Sequence, residues 1–212
     1  MFSVIQLICT ANEMRPLISP RKKDEEIIEQ KILGEDELLG EEPSAFSDYY
    51  YEFLASIKTA LVLEEWAEEK TEDYLFDKYN VTPGELNSKI ERANWLLYSC
   101  QELAKIIPEI KREKLELHVI RERISKGIKE ELLPLVRIKG IGRVRARKLY
   151  NNRIRNVKDI KKTDLNTLAE LLGKNTALNT KKQVGQDLRE EKIITKKNKR
   201  KGQINLSDFD KT

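Results

Sequence analysis

The sequence predicts an all-α protein: a helical bundle, then a small helical domain, then a flexible basic tail. Apolar residues recur at three- and four-residue spacing along most of the chain, whereas alternating strand patterns are nearly absent. Helix starts are marked by capping residues, most clearly at Thr82-Pro83-Gly84-Glu85. A charged share of 36% fits solvated helices better than sheets, since ordinary globular chains carry roughly 25%.

Residues 3–9 (Ser-Val-Ile-Gln-Leu-Ile-Cys) are expected as a short strand or extended segment with nothing local to pair with, within an extended N-terminal segment over 1–23. Pro16 and Pro20 make Arg15 to Lys23 irregular. A short helix is expected over Asp24–Leu33, followed by an acidic loop around Gly34–Glu42. Pro43 and Ser44 are expected to open a long helix carrying Phe46, Tyr50, Phe53, Leu54, Ile57, Leu61 and Val62 on one side. Thr71 caps a helix over Glu72–Tyr79, and the helix begun at Pro83 should run to about Ile106, before Pro108. Helices over 109–126 and 128–137 precede Gly140-Ile141-Gly142, and two or three short helices should cover 143–172. Beyond Gly173 the lysine-rich composition allows at most a frayed helix. The expected domains are a bundle over 24–127, a hairpin domain over 128–175 and a tail over 176–212.

Charge is unevenly divided. Asp24 to Asp77 holds 18 acidic and 3 basic residues, a net of −15; Arg137 to Lys162 holds 11 basic and 1 acidic, a net of +10. The basic end suits a polyanion, and the acidic end a solvated or partner-facing surface. No apolar run is long enough to span a membrane, and no secretory signal opens the chain. Cys9 and Cys100 define neither a disulfide framework nor a metal spacing, which fits a reducing interior, and the expected setting is cytoplasmic and nucleoid-associated. With His118 the single histidine, metal sites and histidine-based catalysis are poorly supported.

On the helix begun at Pro83, Leu86, Ile90, Ala93, Leu97, Cys100 and Ala104 fall on one stripe, the core face. Trp95 lies opposite, sharing its side with Ser88, Arg92 and Ser99. There an indole could stack on unpaired bases while the guanidinium meets phosphate. A central helix with Trp95 packed on a second neighbour is the competing arrangement, since tryptophan is mostly buried. Trp66 has no such partners and reads as core or core margin.

Leu135, Ile138, Gly140, Ile141, Gly142, Ala146, Leu149 and Tyr150 fit the helix-hairpin-helix pattern hxxhxGhGxxxAxxhh at each fixed position. The glycines permit a tight turn, and the amides opening the next helix can point at a phosphate. Arg143, Arg145, Arg147 and Lys148 surround the turn, with Arg137 and Lys139 just before it. Such a site grips backbone without reading sequence, and its affinity falls with salt. A second hairpin through Val157–Ile160 and Leu165–Gly173 would lack the paired glycines, with Leu165, Leu168, Ala169 and Leu172 as core.

Residues 130–150, Glu-Glu-Leu-Leu-Pro-Leu-Val-Arg-Ile-Lys-Gly-Ile-Gly-Arg-Val-Arg-Ala-Arg-Lys-Leu-Tyr, closely resemble the C-terminal region of archaeal Ski-two-like (Hjm-type) superfamily-two DNA helicases. Ile8-Cys9-Thr10, Met14-Arg15-Pro16-Leu17, Lys58-Thr59-Ala60-Leu61 and Asn94-Trp95-Leu96 also look like that family. The resemblance covers roughly 3–175 and implies a bundle whose "ratchet" helix contacts the translocating single strand, with Trp95 as its stacking residue. The family's ratchet arginine falls on Ser88, a departure that leaves Lys89 or Arg92 as substitutes. The Arg-Ala-Arg brake on the exiting strand falls on Arg145, Ala146 and Arg147.

The sequence has no GxxxxGK[ST] loop, no Asp-Glu-x-His element and no arginine-finger block. It is therefore expected to bind DNA, repair or replication forks included, without ATP turnover of its own; ATP and magnesium would belong to motor domains supplied elsewhere. Gln203-Ile204-Asn205-Leu206-Ser207-Asp208-Phe209-Asp210 resembles the sliding-clamp box QxxhxxFF, with Gln203, Leu206 and Phe209 as anchors and Asp210 replacing the second aromatic. Two further classes stay open: an RNA-processing helicase accessory, and a scaffold docking a motor subunit and a clamp. A free-standing nuclease or lyase is least supported, because the acidic and basic residues do not interleave.

Overall fold

The computed structural model describes residues 1–34, 38–40 and 42–185, and among these every regular element is helical. The chain forms two compact units, one of Met1–Leu133 and the other beginning at Pro134.

In the first unit, α1 (Phe2–Cys9) packs on α3 (Tyr50–Ala67), and α5 (Pro83–Ile106) runs along α6 (Lys114–Lys126). α2 (Glu25–Gly34) and α4 (Glu72–Tyr79) lean on α3. Residues 55–63 of α3 are buried without exception. A helix covered all round is the centre of its bundle. Its buried Lys58 is matched by Asp24, whose Oδ2 lies 2.7 Å from Nζ, and Nζ also donates to the Ser19 carbonyl at 2.9 Å. The next residue, Thr59, accepts from the Ile18 amide at 3.0 Å. Both side chains thus fasten residues 18–24 across α3.

Residues 3–9 are helix, not strand. Phe2, Ile5, Gln6, Ile8 and Cys9 are buried, a helical face that docks on α3. A short apolar run does not by itself distinguish strand from helix, and here tertiary burial of one face decides for helix. The long helix starts at Tyr50 rather than at Pro43: residues 43–49 form turns, and Phe46 is fully exposed instead of facing the core. The caps stand where the sequence placed them. Thr71 Oγ1 accepts from the Tyr74 amide at 3.2 Å, and Thr82 Oγ1 from the Glu85 amide at 3.3 Å.

α3 also explains much of the acidic half. Lys31 pairs with Glu64 (3.0 Å), Lys78 with Glu65 (2.6 Å), and Arg123 and Lys129 with Glu68 (2.5 and 3.3 Å). Trp66 is partly buried against the core and donates its indole N–H to the Ile124 carbonyl at 2.9 Å.

Around the second unit's start lies α7 (Leu133–Val136), followed by α8 (Arg143–Asn151), α9 (Val157–Lys162), α10 (Leu165–Leu172) and α11 (Lys174–Gln183). Its core holds Leu135, Ile138, Ala146, Leu149, Ile160, Leu168, Leu172 and Ala177. α11 is a docked helix, not a frayed one: Ala177, Thr180 and Lys181 are buried, and it packs on α10. The second hairpin turn is therefore Gly173, between α10 and α11, one helix later than its expected place at α9–α10.

Candidate nucleic-acid interface

Trp95 sits halfway along α5, opposite the face that buries Leu86, Ala93, Leu97 and Ala104; Ile90 and Cys100 are half-buried at its margin. It is 55% exposed. A packed second neighbour is thereby ruled out within the described residues, and the indole stands at the surface. Ser88 is half-buried one heptad earlier.

The two proposed stand-ins for a ratchet arginine differ from that picture. Lys89 is only 2% exposed and donates its ammonium to the Pro16 carbonyl, so it belongs to the packing rather than to a solvent-facing surface. Burial, then the neighbouring Arg92 cation, lowers its pKa from the ordinary lysine value. Arg92 is half-buried and its Nη1 donates to the carbonyls of Glu13 (2.9 Å) and Arg15. Both cations hold residues 13–16 against α5. A helical wheel places Arg92 beside Trp95 and Lys89 at the edge of the core stripe, but cannot show carbonyls arriving from some 75 residues upstream.

On the adjoining side of α5, Tyr98 is exposed, and Arg121 of α6 sets its guanidinium 5.0 Å from the ring centroid while Nε donates to Asn94 Oδ1 at 2.8 Å. Sequence reasoning missed this pair. The signal for Tyr98 was its three-residue step from Trp95; the α6 partner has no local signature.

In the second unit, Gly140 adopts φ +90°, a region costly for any residue with a Cβ. Gly142 N-caps α8 with no side-chain cap, and nothing lies within 4 Å of where a Cβ would stand. The first amides of α8 lack intrahelical acceptors, as at any helix start, and the first closed bond runs from the Ala146 amide to the Gly142 carbonyl at 2.9 Å. Open space before amides that have no intrahelical acceptor suits an anion. Cations line this turn. Arg145 and Lys148 are exposed, Arg143 and Arg147 half-buried. Arg145 Nη1 donates back to the Gly140 carbonyl at 2.9 Å, and Lys148 Nζ reaches the Glu170 carbonyl at 3.4 Å. The guanidiniums of Arg147 and Arg155 stand 5.2 and 5.1 Å from the Tyr150 ring centroid.

One contact braces the turn from outside. The Gln183 amide of α11 clasps the Lys139 peptide at both ends, Oε1 accepting from its N–H and Nε2 donating to its carbonyl, each at 2.9 Å. The helix beyond Gly173 is thus what holds the hairpin's approach in place.

Gln203, Leu206 and Phe209 lie outside the described residues. Among the described residues, no group of three or more His, Cys, Asp or Glu side chains is arranged to hold a metal ion, and no helix is long and apolar enough to cross a membrane.

Comparison with known proteins gives this geometry its context. Residues 132–179 match the SAM-like helix-hairpin-helix tandem, which runs past Gly173 into the first part of α11 and so agrees with the turn at Gly173. The ATP-dependent DNA helicase Hel308 of Thermococcus kodakarensis is 34% identical over 210 residues, covering 98% of this chain and 18% of the relative. Its namesake in Thermoplasma acidophilum is 44% identical over 104 residues (49% of this chain, 15% of the relative), and that of Methanococcus vannielii 36% over 176 (81% and 22%). The chain thus spans about a fifth of the length of the curated relatives it matches. Residues 2–127, more than half of the chain and the whole of the bundle that presents Trp95, match the model for domain 4 of archaeal helicases, and it is to that family that the chain belongs.

Proposed function

We propose that this chain is the single-strand-binding module of an ATP-dependent DNA repair helicase, guiding and braking the translocating strand while the motor, with its ATP and magnesium, lies in other domains. The observation that carries the reading is the exposed indole of Trp95 on a helix that otherwise buries its apolar face. An aromatic face stacks on any base, which suits a strand that must slide past without regard to sequence. The hairpin supplies the second grip: amides at the start of α8, with Arg143, Arg145, Arg147 and Lys148 around them, hold backbone phosphate.

Fluorescence titration with single-stranded DNA at several salt concentrations tests both grips. Trp95→Phe should remove the strand-induced quench, leaving the Trp66 background. Arg145→Ala with Arg147→Ala should make log affinity fall less steeply with log salt, by about one per lost phosphate contact. A parent chain whose fluorescence and mobility ignore single strands at low salt refutes the reading. Matched RNA oligomers separate the RNA-processing alternative, because only a site that reads the 2′-hydroxyl prefers RNA. ATP turnover by this chain alone, stimulated by DNA, would contradict the absence of a motor.

One observation favours a scaffold as a second reading. Phe46, Tyr49 and Tyr51 stand exposed amid the acidic stretch, where aromatic surface suits a protein partner such as motor domains acting in trans. A sliding clamp bound through Gln203, Leu206 and Phe209 belongs with it. Binding of a 196–212 peptide to a clamp, unchanged by Leu206→Ala with Phe209→Ala, would remove the clamp from this account.

A further inference from the structure

We infer that Tyr98 and Arg121 form a second stacking station beside Trp95, which takes the neighbouring base and phosphate of the same unpaired strand. The inference rests on Trp95 being a strand contact and extends that contact across to α6. Residues three apart on a helix are surface neighbours, with Cβ atoms about 5–6 Å apart, so Trp95 and Tyr98 start from adjoining positions on the outer side of α5. Both are open, at 55% and 46% exposure. Two exposed aromatics side by side on one well-packed helix serve no core.

Arg121 makes Tyr98 more than a surface ring. Its guanidinium lies 5.0 Å from the ring centroid, and Nε donates to Asn94 Oδ1 at 2.8 Å. Those two contacts hold the planar group in place. Among the described residues its terminal nitrogens engage no acceptor, so Nη1 and Nη2 remain to meet a phosphate or a base edge. With the cation against it, the ring is still 46% exposed, which leaves surface for a base. Stacking between the base and a ring already polarised by an arginine is favourable without sequence preference.

Charge along α5 sets which part of the strand faces which group. Glu91 and Glu102 share the outer side of the helix with Trp95. Lys105 covers Glu102, with Nζ 2.5 and 2.7 Å from its two oxygens, whereas among the described residues Glu91 meets only the Asn87 amide, at 3.5 Å. Carboxylates repel phosphates, so the backbone is kept off the middle of this stripe and the bases turn towards the rings. Arg121, at the stripe's edge, is the cation that seats the phosphate between them.

Titration of the full chain with oligothymidylate, read by Trp95 fluorescence, tests the station. Tyr98→Leu keeps apolar volume but removes the π face; affinity should fall about five- to 150-fold, the range for one lost stacked base. The quench at saturation should persist, since Trp95 still stacks. Tyr98→Phe should bind like the parent. Arg121→Ala should make the salt slope shallower by about one. Parent-like affinity in Tyr98→Leu, or an equal loss in Tyr98→Phe and Tyr98→Leu, overturns the station while leaving Trp95 as a contact. A parent chain that shows no strand-dependent quench removes the strand reading itself, and the station with it.

Discussion

Gly127→Ala offers the sharpest test of the packing that supports α6, and with it Arg121. Gly127 ends α6 in the left-handed region, at φ 61° and ψ 52°. A Cβ built there would stand 2.4 Å from Trp66 Cε2, 2.6 Å from Cζ2 and 2.9 Å from Nε1. The indole cannot give way cheaply. It is rigid, it packs on the core, and its N–H is held by the Ile124 carbonyl at 2.9 Å. Left-handed strain on alanine costs about 1–2 kcal/mol, overpacking about 1–3, and the strained indole bond about 1. A smaller unfolded-state entropy returns roughly 0.4–1 kcal/mol. The net loss is about 2–6 kcal/mol, or a fall in Tm of about 8–24 °C for a unit of this size. Circular dichroism melts would read it. In a Trp66→Leu background the added cost of Gly127→Ala should shrink to the backbone strain alone, and that non-additivity identifies the indole as the obstacle. Additive losses, or a melt within a few degrees of the parent, would refute the reasoning.

Two further perturbations probe contacts that only the folded chain contains. Gln183→Ala should free the Lys139 peptide, lowering the second unit's stability by about 1–2 kcal/mol and raising amide exchange at Lys139 about tenfold; unchanged exchange would show that the clasp does not hold the hairpin. For Asp24, burial pushes the carboxyl up, but the Lys58 hydrogen bond, the Arg21 amide and the charges of Lys58 and Arg21 together hold it below the ordinary carboxylate range. A folded pKa below the unfolded value of about 3.9 stabilises the fold at higher pH, and that stability drains away as pH falls through the unfolded value towards the folded one. Urea unfolding between pH 7 and 3 should therefore show a steeper loss for the parent than for Asp24→Asn, which at neutral pH should already be weaker by about 3–5 kcal/mol. Parallel pH profiles would contradict the assignment.

Local signals carried the reading furthest where one helix holds both the cause and the consequence. Thr71 and Thr82 cap the helices they precede because the acceptor and the amide are three residues apart. Trp95 lies opposite Leu86, Ala93, Leu97 and Ala104 because 100° per residue leaves it nowhere else to be. The Gly140 turn was legible for the same reason: its φ of +90° is a property of one residue. The readings failed where a neighbour from elsewhere decides. Residues 2–9 are helical because they dock one side on α3, and α11 holds as a helix because it packs on α10 and buries Ala177 and Thr180. Lys89 and Arg92 share a helix with Trp95 and are the substitutes the resemblance offers for a phosphate contact, yet loop carbonyls from residues 13–16 occupy both.

By itself, then, the amino-acid order determined the helical class, the caps, the outward indole and the guanidinium-ringed turn, since each follows from spacing within a few residues. Tertiary structure decided which cations are left for a strand: it withdrew Lys89, committed Arg92, and brought Arg121 to Tyr98 and Gln183 to Lys139. A side chain's charge is written in its identity, but its availability depends on which acceptor the rest of the chain folds against it. That pairing joins residues far apart in sequence, and no local pattern encodes it.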